Sequence, residues 1–212
     1  MTEGIEMKRY GVMAGVATGV AALAAAGAVL LGTTQPSSAA ETRQPVKLAA
    51  AQSSTSVTFV KRYFERKYPH GYLSNAVLPK TWREVHVAAH QTRFDDTANS
   101  RMIRFNTWWG PQTPQNALKQ KIAALKGTRG LHIVGTSTVG MPSTAGQGRL
   151  TVSTIVYTYK SGSTTRWVAT RYVAQNGRSL TDAEITVAGR PADSKTLGLV
   201  LNKATQTLVI TP

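Results

Sequence analysis

Three runs fix the fold class: RLTVSTIVYTYK (149–160), TRWVATRYVA (165–174) and AEITVA (183–188). Each is rich in β-branched and aromatic residues, and each is bounded by turn residues, so each reads as a strand. Ser161-Gly162-Ser163 separates the first two, and Asn176-Gly177 begins the link to the third. Connections this short force antiparallel neighbours, because a parallel crossover needs a dozen residues or more.

Working outward, Leu131–Thr138 reads as a strand before this run, and Met102–Trp109 as another. In the latter, Ile103, Phe105, Thr107 and Trp109 share one face, and Arg104 and Asn106 take the other. Gly110-Pro111 stops that strand. Thr113 then caps a helix with Pro114 in its first turn, Leu118, Ile122 and Leu125 as its apolar stripe, and Gly127 and Gly130 ending it. Further upstream, Tyr72–Val77 and Glu84–Thr92 read as strands, with Phe94-Asp95-Asp96 and Asn99-Ser100 making a turn. Downstream, Gly189-Arg190-Pro191 breaks the pattern. Asp193 or Ser194 caps a last helix, in which Leu197, Val200, Leu201, Ala204 and Leu208 recur at helical steps. The expectation is an α+β domain: an antiparallel sheet of about six strands flanked by helices.

The chain start is of another kind. Lys8-Arg9 precede an uncharged Ala/Gly/Val/Leu stretch, Gly11–Gly32, followed by the small residues Ser37-Ser38-Ala39-Ala40. A basic region, an apolar region and a small-x-small exit describe an export signal, with Met7 an alternative start to Met1. The stretch is also about as long as a membrane-spanning helix. Residues 1–40 therefore read as a signal peptide or an uncleaved anchor to the plasma membrane through residues 11–32, and both stay open. Residues 41–56, rich in Ala, Ser, Thr and Gln, read as a flexible linker, and 57–212 as one domain. The protein is expected to be secreted or otherwise extracytoplasmic.

Net charge is +15, from 25 Lys/Arg against 10 Asp/Glu, and there is no cysteine. The charge favours anionic neighbours such as lipid head groups or wall polymers. The missing cysteine excludes disulfides, thiolate metal sites and a lipid-modified N-terminal Cys. Between 57 and 68, Phe59, Tyr63, Phe64 and Tyr68 interleave with Lys61, Arg62, Arg66 and Lys67. Val60, Tyr63, Phe64 and Lys67 fit the spacing of a short amphipathic helix, and the four cations form a candidate anionic-surface site. An edge element packing its aromatics on the domain is the other reading.

Little points to catalysis. His86 and His90 are four apart, but in a strand that is poor chelate spacing, and His70 and His132 stand elsewhere. Asp95-Asp96 are adjacent and suit turn chemistry better than an acid–base pair. No G-x-S-x-G, H-E-x-x-H or phosphate-loop pattern occurs. The expectations are no enzyme, no cofactor, no metal and no nucleic acid. Trp82 and Trp109 are assigned to the core. Trp108 beside Arg104 is the candidate partner surface for an envelope protein, lipid or anionic polymer. The expected state is a monomer.

The order of parts resembles a known family. The strand entering Leu78-Pro79-Lys80-Thr81-Trp82 resembles the P-x-x-W opening of PsbP-like domains. It is followed by Arg101-Met102-Ile103-Arg104-Phe105, a helix, an antiparallel run and a closing helix after Gly189-Arg190-Pro191-Ala192-Asp193. Over 70–208 the chain is similar to actinobacterial exported proteins of the LpqN/LpqT type. That resemblance implies a PsbP-like α/β/α sandwich, no defined catalytic residues and an exported binding role. Lipid anchoring, common in that family, is not implied here, because no Cys follows the signal.

Overall fold

The structure is a computed structural model that describes residues 57–66, 72–107 and 110–210. The segments expected to be an export signal and a linker, together with Lys67, His70, Trp108 and Trp109, lie outside them, as does the side chain of Arg66. Ten strands occur among the described residues. They are β1 (Phe59–Arg66), β2 (Tyr72–Pro79), β3 (Arg83–Ala88), β4 (Gln91–Asp96), β5 (Arg101–Asn106), β6 (His132–Pro142), β7 (Arg149–Ser161), β8 (Thr164–Ala174), β9 (Ala183–Gly189) and β10 (Val209–Ile210). Two α-helices accompany them, α1 (Pro114–Leu125) and α2 (Ser194–Thr207).

The strands form two antiparallel sheets. The larger has seven strands in the order β3-β4-β5-β9-β8-β7-β6, and the smaller has three, β1-β2-β10. Antiparallel pairing alternates the faces, so Phe94, Ile103, Phe105, Ile185, Val187 and Ala169 line one side of the large sheet. There they meet Leu197, Val200, Leu201 and Ala204 of α2, and Phe64, Ala76 and Leu78 of the small sheet. On the other side α1 sets Ala117 and Leu118 against Ile155, Tyr157, Val168, Tyr172 and Ala188. Both faces of the middle of the large sheet are thus covered, giving the α+β sandwich expected for a PsbP-like arrangement. Gly189 lets α2 approach closely, since a Cβ there would lie 2.8 Å from Leu197 Cδ1.

Of the two readings of the aromatic-basic stretch, the edge element holds and the helix does not: Phe59–Arg66 is an edge strand of the small sheet, with Phe64 fully buried and Tyr63 half exposed. Two local readings are corrected. Phe94-Asp95-Asp96 is not a turn but the end of β4, the turn following at Thr97–Asn99. The single strand expected over 84–92 is a hairpin, β3–β4, whose tight turn at Ala89-His90 sets His90 at φ 59°. Histidine visits that left-handed conformation more readily than most residues, so the turn carries no Gly, Asn or Pro to announce it. The expected helix at Pro114 is present, and Thr113 accepts a hydrogen bond from Asn116 N.

The Asp95-Asp96 pair divides as strand geometry requires. Asp95 bonds Arg93, whereas Asp96 accepts from Asn99 and from Arg101 Nε at 2.9 Å. Burial alone would raise the Asp96 carboxyl, but hydrogen bonds from Arg101 and Asn99 outweigh it and hold it below the usual carboxylate range. A lowered folded pKa stabilises the fold above the unfolded value of about 4 and stops doing so as pH falls through the folded value. Asp96→Asn should therefore cost about 1–3 kcal/mol near neutral pH and less below about pH 3, measured by urea unfolding at both. An equal cost at both pH values would show that the carboxylate charge is not what stabilises this corner.

Candidate functional site: a groove between helix α1 and the sheet

β9 is the middle strand of the large sheet, and all seven of its residues are buried. On the α1 side it presents Glu184, Thr186 and Ala188. Cross-strand pairing extends these into three rows. Asn106, Glu184, Tyr172, Ser153 and Thr138 make one, and Arg104, Thr186, Thr170 and Ile155 the next. Met102, Ala188, Val168 and Tyr157 make the third. Residues directly opposite in such a ladder share a face and touch.

A carboxylate in a fully covered strand needs partners. Glu184 Oε1 accepts from Arg104 Nη2 at 3.0 Å and from Thr186 Oγ1 at 3.2 Å. Tyr172 also donates a side-chain hydrogen bond to Glu184. Thr186 Oγ1 lies 2.9 Å from Thr170 Oγ1, closing a chain of polar groups beneath the helix. The side chain of Glu184 is only 6% exposed and that of Arg104 36%, so the cation rises from a buried anion toward solvent.

α1 packs over β7 and β8 and stops short of β5. Between its last turns and the sheet lies a groove of about 290 Å³. Tyr157, Tyr159, Leu125, Met102, Val168 and Ala188 give it an apolar, aromatic lining, and Arg104 and Lys121 bring two cations to it. Arg104, singled out by strand alternation, lines this groove, whereas Trp108 is outside the described residues. Sequence reasoning missed Glu184 and the tyrosines. The available signal was a lone Glu inside an otherwise apolar strand, which predicts a buried partner.

The other candidates disperse. Arg62 Nη2 donates to the carbonyl oxygens of Lys80 at 2.9 Å and Trp82 at 3.1 Å, so it braces the β2–β3 turn. Lys61 points the opposite way, with Nζ 5.1 Å from the centre of the Tyr63 ring. Trp82 is in the core, 3% exposed. His86 and His90 line a second cleft of about 470 Å³ with Glu65 and Glu84. Glu65, held at φ 62°, is occupied there by Ser74 Oγ and Thr107 Oγ1, each at 2.6 Å. Among the described residues no group of three His, Cys, Asp or Glu is placed to hold a metal.

The chain is an antiparallel α+β sandwich with an amphipathic groove beside α1 that Arg104 and Lys121 line. No family model matches the chain, and no curated protein matches it in sequence. Among solved structures it is similar to the Ran-binding protein Mog1p of Saccharomyces cerevisiae at 10% identity, covering 73% of this chain and 96% of that one, with a TM-score of 0.46. It is also similar to LpqN of Mycobacterium tuberculosis, described as involved in cell envelope biogenesis, at 16% identity, 73% and 92% coverage and a TM-score of 0.47. A third is a protein of Pseudomonas aeruginosa described as a putative regulator, at 13% identity, 74% and 98% coverage and a TM-score of 0.42. LpqN is thus a structural neighbour of this chain without a sequence-level tie to its family, and no function is transferred from any of the three.

Burial pushes the Tyr157 phenol up to about 12, with Tyr159 and Glu184 adding to the shift and Arg104 opposing it. Burial and Glu184 move Tyr172 upward as well. Neutral phenols therefore contribute stability that is complete below the unfolded pKa of about 10 and lost as pH rises through the folded value. In a spectrophotometric titration, Tyr157 should ionise late, identified by its loss in Tyr157→Phe. Arg104→Gln should delay it further by removing the opposing cation. Ionisation of Tyr157 together with the exposed tyrosines in the folded protein would contradict its burial beside Glu184.

Proposed function

We propose that the chain is an exported, non-catalytic binding protein of the bacterial envelope that holds a small amphipathic anion in the α1 groove. The observation that carries this reading is the groove's composition: an aromatic and aliphatic body with Arg104 and Lys121 at hand. Its volume of about 290 Å³ sits at the lower end for ligand sites, which suits a small molecule or one end of a larger one. The nearby carboxylate is engaged by Arg104 and Thr186, an arrangement that supports holding a ligand rather than turning one over. The address rests on Lys8-Arg9, the uncharged Gly11–Gly32 stretch and the small residues before Glu41.

Calorimetric titration with decyl phosphate and decanoate tests the ligand class. Both should bind, decyltrimethylammonium should not, and Arg104→Gln should weaken the anions about tenfold, as loss of a charged hydrogen bond would. Equal binding of the cationic amphiphile would exclude a site selected by charge.

Export is checked separately by intact mass of the chain from culture supernatant and from membranes. Loss of about 40 residues indicates a cleaved signal, and full mass in membranes an anchor. Chain found only in the cytosol would remove the envelope from the proposal.

A second reading, an electrostatic adaptor to anionic membrane or wall polymer, draws on the outward face of β1, where Lys61 and the half-exposed Tyr63 stand together. Adhesion of that kind should fade with salt and with Lys61→Gln, whereas groove binding should ignore Lys61→Gln.

A further inference from the structure

Edge strands expose a row of unpaired N–H and C=O groups, and proteins guard them with charge, short length or bulges. At one end of the large sheet β3 is guarded in all three ways: it has six residues, carries Arg83 and Glu84, and breaks register between His86 and Ala88. In the small sheet β1 carries Lys61, Arg62, Glu65 and Arg66, and β10 has two residues.

The opposite end of the large sheet is different. β6 runs for eleven residues, pairs only with β7 among the described residues, and is exposed at every position but Met141. It lies within Gly130–Gly148, a stretch with no Lys, Arg, Asp or Glu in a chain of net charge +15. Ile133, Val134 and Val139 are 38%, 56% and 51% exposed, three of the seven large hydrophobics left in solvent among the described residues. Its one irregularity falls between Ile133 and Gly135, near its start, leaving Gly135–Met141 in unbroken register with β7.

We propose that β6 is a self-association edge, pairing antiparallel with β6 of a second copy across a two-fold axis to join two seven-stranded sheets. Charge selects this occupant. An acidic partner would be drawn to a cationic edge, and β6 carries no cation of its own, although Arg149 of β7 lies over its Gly140. Two copies of a strongly basic chain, conversely, can meet without like charges in contact only along a neutral surface. Pairing would occupy the free backbone groups and cover the exposed valines. The groove lies on the opposite face from Val139, which pairs with the core residue Val152, so self-association and ligand binding are separable.

Sedimentation equilibrium of the full chain tests the proposal, with 22.7 kDa the mass of one copy. A dimer is expected, and it should tighten as salt rises, because screening relieves repulsion between the two cationic bodies. Val139→Lys should weaken it at least about tenfold, and Ser137→Lys, at an exposed polar position, should do the same with less risk to folding. Val87→Lys on the guarded edge should leave it unchanged. Far-UV circular dichroism and a thermal melt establish that each variant is folded. A single copy at all salts up to about 1 mM protein overturns the proposal. So does association that neither β6 lysine weakens, or association that salt loosens, which would point to an anionic bridge.

Discussion

β9 is covered on both faces, and the rest of the arrangement follows from that constraint. A strand buried on one side can send its polar residues to water, but a strand buried on both cannot. Ala183, Ile185 and Val187 meet this on the α2 side by being apolar. On the α1 side Glu184 and Thr186 meet it through partners: Arg104 from β5, Tyr172 and Thr170 from β8. The same requirement that keeps the central strand satisfied therefore places a guanidinium at the groove. Removing Glu184 would leave Arg104 half-buried and unpaired, and removing Arg104 would strand a buried carboxylate. Fold and site share these residues.

The small sheet is attached by a second interaction, between rings. Phe64 of β1 meets Phe105 at 4.7 Å and Phe94 at 5.8 Å between centroids, and Phe94 meets Phe105 edge-on at 6.3 Å. Aromatic contacts of this kind contribute beyond the area they bury. Glu65 adds a polar clasp beside them, taking a hydroxyl from β2 and another from Thr107, just past β5. Its left-handed backbone is tolerated because these two hydroxyls hold the carboxylate where it is. The clasp and the rings together fix β1 against the large sheet.

This explains what the sequence disclosed and what it did not. The antiparallel run from 149 to 188 was legible because its turns use Gly and Asn and its strands are long. The caps of α1 were legible because Thr113 and Pro114 are side-chain signals. β1 was not, because Phe64 is its one fully buried ring and a single ring fixes no period. The β3–β4 turn was not, because histidine occupies the strained position. Of the site, alternation alone put Arg104 opposite the Ile103 face. The aromatic wall depended on register between β7, β8 and β9, and no local pattern specifies which residues face one another across strands.

The charge excess takes on a sharper meaning once the acids are located. Asp95 is bound to Arg93, Asp96 to Arg101, Asp182 to Arg178, Glu184 to Arg104 and Asp193 to Arg190, while Glu65 is taken by hydroxyls. Three of these pairs are local, spanning two to four residues, whereas Asp96–Arg101 joins β4 to β5 and Glu184–Arg104 joins β9 to β5. All of these carboxylates but Glu65 neutralise a cation close by, so the field beyond the surface is set largely by the lysines and arginines without acidic partners. Lys121 at the groove is one whose charge has no ion pair among the described residues. An anion approaching the groove therefore meets a positive potential at long range and, on arrival, an apolar wall that a simple counter-ion cannot use. On the proposed function, that combination would favour ligands with both an anionic and an apolar part over chloride or alkylammonium.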